Sequence, residues 1–215
     1  MRKEVNKGPN LFYLFIKRIF DIIVGLIGCI ILIPLSVIVK IMNICCKDYG
    51  PLFFTQKRIG KNGKEFKLYK YRTMVVNADD ILMDILKKGG PLAEEYKKNK
   101  KLKNDPRITK AGRLIRISSV DEFPQMINCL MGHMSVVGNR PYLPREKNDM
   151  GNYYKDIIKT KPGLTGYWQV SGRSNVSFKN RLKLEKYYSN NASLLLDLKI
   201  FFKTFKVVFI GKGAK

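Results

Sequence analysis

Ile22-Ile23-Val24-Gly25-Leu26-Ile27-Gly28-Cys29-Ile30-Ile31-Leu32-Ile33-Pro34-Leu35-Ser36-Val37-Ile38-Val39 holds no charged residue over 18 positions. As a straight helix it is ~27 Å long, close to a hydrocarbon thickness of roughly 30 Å. Three readings compete. A secretory signal fits poorly, because no small-x-small cleavage site follows and the run ends directly at Lys40. A straight spanning helix meets Pro34, which removes a backbone donor and crowds the preceding turn. It also has Lys17 and Arg18 on one flank and Lys40 and Lys47 on the other, and positive flanks favour the cytoplasmic side. A re-entrant helix that breaks at Pro34 and returns accommodates both facts, with Ser36 able to bond a carbonyl freed by the break. A kinked spanning helix remains its competitor, and a buried soluble helix is third.

The charge balance points the same way. With 41 Lys+Arg against 17 Asp+Glu in 215 residues, the formal net charge is +24. Such a field selects an anionic partner, whether nucleic acid, acidic lipid or a phosphate-rich substrate, without choosing among them. Four cysteines (Cys29, Cys45, Cys46, Cys129) lack both a disulfide framework and metal-finger spacing, as in a reducing compartment. Near the C-terminus, Leu194–Ile210 is crowded with apolar residues, while Lys199, Lys203 and Lys206 recur on one helical face. A basic stripe on an apolar helix suits the membrane interface; a core helix with one solvated edge is the alternative.

Between these ends the chain reads as α+β: mainly helical, with one small β-hairpin, a re-entrant membrane helix and interfacial amphipathic helices. Two regions are expected, 1–50 as the membrane-inserting part and 51–215 as the catalytic part. Pro51–Met74 reads as the hairpin, turned at Gly60-Lys61-Asn62-Gly63. Ala78–Lys88 reads as a short amphipathic helix ended by Gly89-Gly90-Pro91. The lysine-rich run Lys97–Lys103 reads as a solvated loop, with contact to anionic head groups as a second role.

The candidate chemistry centres on Ser118-Ser119-Val120-Asp121-Glu122-Phe123-Pro124-Gln125. Ser119 and Glu122 have capping-box spacing, so the stretch is expected to open a helix running to Gly132, with Pro124 near its first turn. Acidic residues in a first turn are commonplace and contribute ~0.3–1 kcal/mol through the helix dipole alone. Other features raise the chemical reading. Adjacent carboxylates can hold Mg²⁺. Gly138-Asn139-Arg140-Pro141 fixes a guanidinium whose fork matches phosphate oxygens. Lys70 and Arg72 alternate with Tyr69 and Tyr71 on a strand, so both cations share a face. A carboxylate nucleophile, a metal site and several cations are the parts of phosphoryl transfer. The glycine-rich stretch Pro162–Arg173 allows either close backbone approach to a ligand or a pair of structural turns. His133, the single histidine, reads as a surface residue.

Taken in order, these motifs resemble the bacterial monotopic phosphoglycosyl transferases, the bacterial sugar transferase family. The likeness runs through Lys17-Arg18-Ile19-Phe20-Asp21, Gly50–Gly60, Phe66–Met74, Asp105-Pro106-Arg107-Ile108-Thr109, Asp121-Glu122, Met134–Pro141 and Pro162–Arg173. It implies a monotopic enzyme on the cytoplasmic face of the bacterial inner membrane, its helix hairpin bent at Pro34. It implies a UDP-sugar donor, undecaprenyl phosphate as acceptor, contact with bacterial membrane lipid and no nucleic acid; a homo-oligomer is left open. Asp121 is the implied nucleophile and Glu122 acts beside it with Mg²⁺, both as metal ligands. Lys70, Arg72, Arg140 and Arg173 are the implied phosphate binders. Arg140–Glu146 resembles the hexose-phosphate branch, which points to galactose or glucose. Three positions depart from the family pattern: Asn139 for proline, His133 for aspartate, and Glu185 for the aspartate before Tyr187-Tyr188. The competing class is a basic membrane-surface protein that binds anionic lipid or RNA without catalysis.

Overall fold

A computed structural model of the chain describes residues 10–99, 102–172 and 176–210. Helix α1 (Leu11–Cys45) is followed by strands β1 (Phe53–Ile59) and β2 (Glu65–Tyr71), then by α2 (Ala78–Lys88), α3 (Pro91–Asn99) and α4 (Lys110–Ile117). Next come a 3-10 turn at Val120–Glu122, α5 (Gln125–Leu130), β3 (Ser135–Val137), α6 (Lys147–Met150) and α7 (Tyr154–Ile157). The chain continues with β4 (Gly163–Thr165), α8 (Tyr167–Val170), α9 (Phe178–Asn191) and α10 (Leu194–Ile210). The expected helices at 78–88 and 194–210 form with those limits, and the expected hairpin is β1–β2. Its turn needs the left-handed region at two successive positions, Asn62 (φ 57°) and Gly63 (φ 79°), residue types that tolerate it. Part of the lysine run is helical, since α3 reaches Asn99, and Lys97 and Lys98 lie exposed on it.

Helix α1 contains Pro34 without being split into two elements. Ser36, expected to serve a freed carbonyl, instead shares a 2.8 Å hydrogen bond with the Tyr71 hydroxyl. The helix is apolar and mostly uncovered. Its best 18-residue window has a mean hydropathy of 3.0 and is 22% buried. Phe12, Phe15, Ile23, Ile27, Ile30 and Ile33 are all more than half exposed. A core helix of this chain would bury these side chains, so that reading is excluded, and the exposed apolar face suits a membrane.

The described residues fall into two compact units, each drawing on both sides of residue 50. One comprises Met1–Leu32, Thr55–Tyr69 and Pro124–Lys215. Within it, polar side chains on α1 bind main-chain groups. Arg18 donates to the carbonyls of Cys129 (2.8 Å) and Leu130 (2.9 Å) at the end of α5. Asp21, 2% exposed, accepts from Ser135 Oγ and Val136 N, both at 2.8 Å. Lys17 donates to Val137 O at 2.7 Å and pairs with Asp197 of α10. Strands β3 and β4 pair in parallel, Ser135 opposite Gly163 and Val137 opposite Thr165. Glycines make that pairing sterically feasible: a Cβ on Gly163 would stand 2.1 Å from Gly138 N, and one on Gly166 2.2 Å from Gly138 O. These glycines serve backbone-to-backbone packing, the structural alternative left open for the Pro162–Arg173 stretch.

Apolar cores surround that pair. Val136, Val137, Tyr188 and Ile200 form one cluster; Phe66, Leu68, Cys129 and Met134 a second; Ile59, Tyr142, Met150, Ile157 and Leu182 a third. Helix α10 contributes Asp197, Ile200, Phe201 and Thr204 to the buried side, whereas Leu195, Leu198, Phe202 and Phe205 stay exposed alongside Lys199, Lys203 and Lys206. An exposed mixture of apolar and basic residues matches the interfacial reading more closely than a core helix.

The other unit comprises Ile33–Phe54 and Lys70–Phe123. Asp105 binds Arg107 three times, accepting from its main-chain N–H, Nε and Nη2 at 2.7–3.0 Å. Thr109 caps α4 by accepting from Gly112 N at 2.9 Å, and its own N–H bonds Thr73 O. A Cβ on Gly112 would come 2.1 Å from that same carbonyl, so the start of α4 lies directly against the strand exit. The Asp105–Thr109 motif is therefore architectural.

Candidate active site

The stretch around Asp121 does not open a helix as expected. Val120–Glu122 is a 3-10 turn, Ser119 makes no side-chain cap, and α5 starts only at Gln125 with Pro124 as its N-cap. The reason is Pro124. A helix capped by Ser119 would put that proline past the first turn, where it lacks the required N–H and its ring clashes. Ser119 instead takes φ 58°, ψ 15°, a left-handed conformation that costs a serine about 1 kcal/mol or more. The capping-box and helix-dipole explanations for the two carboxylates lapse with that helix, and the strained turn is left presenting them.

Asp121 is half-buried and Glu122 exposed. Burial pushes the Asp121 carboxyl above the usual range, and Glu122 adds to that, while Lys70 and Arg116 oppose it. Lys70 Nζ lies 2.7 Å from Glu122 Oε1. Arg116 is steered by a 2.8 Å bond from its Nε to Thr73 Oγ1. Sequence reasoning missed Arg116; its trace was the alternation of Arg113 and Arg116 with apolar residues on α4. Among the described residues no three His, Cys, Asp or Glu side chains gather as a metal cage. Two adjacent carboxylates nonetheless fit Mg²⁺, which uses one or two protein carboxylates and completes its shell with phosphates and water.

The other expected residues have separate settings. Arg72 is buried, its Nε on Pro51 O (2.6 Å), Nη1 on Met74 O (2.7 Å) and Nη2 on Asp48 Oδ1 (2.6 Å), so this cation braces the turn regions rather than facing Lys70's partner. Arg140 belongs to the unit that contains β3 and β4. Its main-chain N–H donates to Glu185 Oε1 at 3.0 Å. Asn139, 3% exposed, donates to Ile157 O, Thr160 Oγ1 and Ser189 Oγ, which gives its amide a structural task. His133 is exposed and lies beside the Phe66 ring, as a surface residue would. Arg173 lies outside the described residues.

The sequence that builds this turn is similar to that of known proteins. The sequence profile described as Bacterial sugar transferase matches residues 12–211. The chain belongs to the bacterial sugar transferase family. It is 39% identical over 198 residues to the exopolysaccharide production protein ExoY of Sinorhizobium fredii, covering 92% of this chain and 87% of that one. It is 41% identical over 203 residues to the undecaprenyl-phosphate galactose phosphotransferase of Salmonella typhimurium, covering 93% of this chain and 42% of that one. A third relative, the UDP-galactose-lipid carrier transferase of Erwinia amylovora, is 40% identical over 93% of this chain and 42% of its own length. The chain thus spans less than half the length of the Salmonella and Erwinia relatives. Membership makes it an enzyme, a phosphoglycosyl transferase, and the non-catalytic reading falls.

The two strand cations are expected to separate on substitution. Arg72→Ala leaves Asp48 and two carbonyls without their donor and lowers stability by about 3 kcal/mol or more. Lys70→Ala removes a partly exposed pair and costs under about 1 kcal/mol. Thermal unfolding in detergent micelles, run side by side, checks the contrast.

Proposed function

We propose that this enzyme moves a hexose 1-phosphate from a UDP-sugar to undecaprenyl phosphate through an aspartyl-phosphosugar intermediate. The observation that carries the reading is Asp121, half-buried on the strained turn beside the Lys70–Glu122 pair. A carboxylate oxygen of Asp121 attacks the β-phosphorus of the UDP-sugar. The bond from that phosphorus to the bridging oxygen breaks, and UMP departs with the electron pair. An oxygen of undecaprenyl phosphate then attacks the same phosphorus, frees the carboxylate and forms a lipid-linked diphosphate sugar. Partial burial strips water from Asp121 and strengthens the local field. Lys70 holds Glu122 in place and, with Arg116, offsets the negative charge that gathers on the phosphates. Bound by Asp121 and Glu122, Mg²⁺ would neutralise charge on the diphosphate. Arg140 and Arg173 are the further phosphate ligands in this proposal.

The donor proposed first is UDP-galactose, because the Salmonella and Erwinia relatives carry galactose in their names; UDP-glucose is second. Incubating the full chain with undecaprenyl phosphate and each UDP-sugar, and following UMP, tests donor and reaction together. Asp121→Asn should drop the rate by at least about a hundredfold while the unfolding midpoint holds, since an amide cannot form the acyl phosphate. A variant retaining more than that rejects the nucleophile. Excess chelator should stop UMP release, and Glu122→Gln should raise the Mg²⁺ concentration needed for half-maximal rate. Full activity in chelator would remove the metal from the scheme.

For location we propose the cytoplasmic face of the bacterial inner membrane, with α1 entering and returning. Support comes from both sides of Pro34: Arg18 and Asp21 bind main-chain groups of α5 and β3, and Ser36 binds Tyr71, so neither half of the helix is free of the catalytic region. Single cysteines at positions 6 and 61, in a background without the native four, should both resist a membrane-impermeant thiol reagent in intact cells. Labelling at position 6 alone establishes a spanning helix instead.

A further inference from the structure

The third apolar cluster encloses a knot of polar groups for which the reaction above has no use. Glu185 of α9 is 1% exposed. One of its oxygens, Oε1, accepts the Arg140 N–H, and the Tyr142 hydroxyl bonds the carboxylate. Arg140 Nε, Arg181 Nε and Trp168 Nε1 are buried without protein partners. Arg181 stacks over the Trp168 ring at 4.4 Å, and Tyr142 stands edge-on to Phe178. Three buried donors left without partners beside a buried carboxylate are costly, at roughly 1–3 kcal/mol each. The groups facing Glu185 are Tyr142 and Arg140 from the segment after β3 and Arg181 from its own helix. The one carboxylate of α7, Asp156, is taken up by Lys159 and Lys186.

We propose that Glu185 is a positioning residue for Arg140, and that the charge on Glu185 sets how strongly Arg140 holds an anionic phosphate. The bond to the Arg140 N–H fixes the main chain of the Gly138–Pro141 turn. The second oxygen then decides the field. An ionised Glu185 cancels much of the positive potential that Arg140 and Arg181 offer an incoming diphosphate; a protonated one leaves it in force and can donate to Tyr142. Burial raises the Glu185 carboxyl to about 7, against the opposing pull of Tyr142, the Arg140 N–H and the two guanidiniums. Both charge states are therefore populated near neutrality. Phosphate binding and proton uptake are linked with the same sign: each favours the other, so donor affinity falls as pH rises through about 7.

The inference rests on Arg140 being a phosphate ligand, and the test separates the two. The readout is equilibrium binding of UDP-galactose, whose diphosphate diester keeps its charge over this range, to the full chain carrying Asp121→Asn in detergent micelles. From pH 6 to pH 8.5 the dissociation constant should rise about tenfold, the effect of roughly one unit of coupling between the two sites. Adding Glu185→Gln, which still accepts the Arg140 N–H but cannot ionise, should give a flat profile near the pH 6 affinity. Adding Glu185→Ala should weaken binding at every pH. A purely structural Glu185 would leave the pH slope intact in Glu185→Gln, and that slope overturns the proposal. So does a flat profile in the Glu185 form, which needs no folded variant to read. If Arg140→Gln binds UDP-galactose as tightly as its parent, the phosphate-ligand reading fails and takes this one with it. If Arg140→Gln weakens binding yet the slope does not depend on Glu185, only this inference fails.

Discussion

The structure depends on three polar residues near the start of α1. An apolar helix this exposed gains almost nothing by packing on the rest of the chain when lipid is equally apolar. What attaches it is hydrogen bonding: Arg18 on the last carbonyls of α5, Asp21 on Ser135 and Val136, and Lys17 on Val137 and Asp197. Arg18 supplies charged donors to the carbonyls at a helix end, where the helix dipole is negative. Asp21 does the equivalent for a strand edge. The same lysine and arginine that argued for a cytoplasmic flank are thus tied up inside the protein, so their charge serves architecture.

A similar division runs through the candidate site. Lys70 on β2 and Arg72 just past its end are two residues apart, yet one meets Glu122 and the other is buried against Asp48. The useful cations around Asp121 are Lys70 and Arg116, and the second comes from a helix that the glycine at 112 allows to sit against Thr73. The turn that carries Asp121 is held by a backbone conformation that serine adopts at a cost. Strain of that kind persists only where the surrounding contacts determine it, and it is characteristic of functional positions.

Much of the fold was legible in the sequence because local chemistry determined it. Gly89 ends α2, Asn62-Gly63 turns the hairpin, and the lysine spacing marks α10; each signal is contained within a few residues. The carboxylate pair was legible for the same reason. What escaped was set over long separations. The pairing of β3 with β4 leaves no signature in segments of three residues, and the placement of Asn139 against Ser189 depends on a helix fifty positions later. The capping box at Ser119 had the right spacing and failed because a proline two residues beyond Glu122 overrides it. Arg116 was invisible as a site residue because its nearness to Asp121 depends on how α4 packs, with its Nε held by Thr73, 43 positions earlier.

The bond between Lys17 and Asp197 spans 180 positions, and Tyr13 and Tyr188 join the same carboxylate. Its consequence lies in the order of assembly on the ribosome. Helix α1 is made well before the groups that its polar residues bind. Strand β3, which supplies main-chain partners of Lys17 and Asp21, appears more than a hundred residues later, and Asp197 comes 180 positions after Lys17. At about 5–20 residues per second, the apolar helix waits many seconds for its last polar contact. During that interval Lys17 and Asp21 lack the partners that they have in the finished fold. The apolar helix is therefore only partly attached through most of synthesis, and its polar needs are met in full only when α10 arrives.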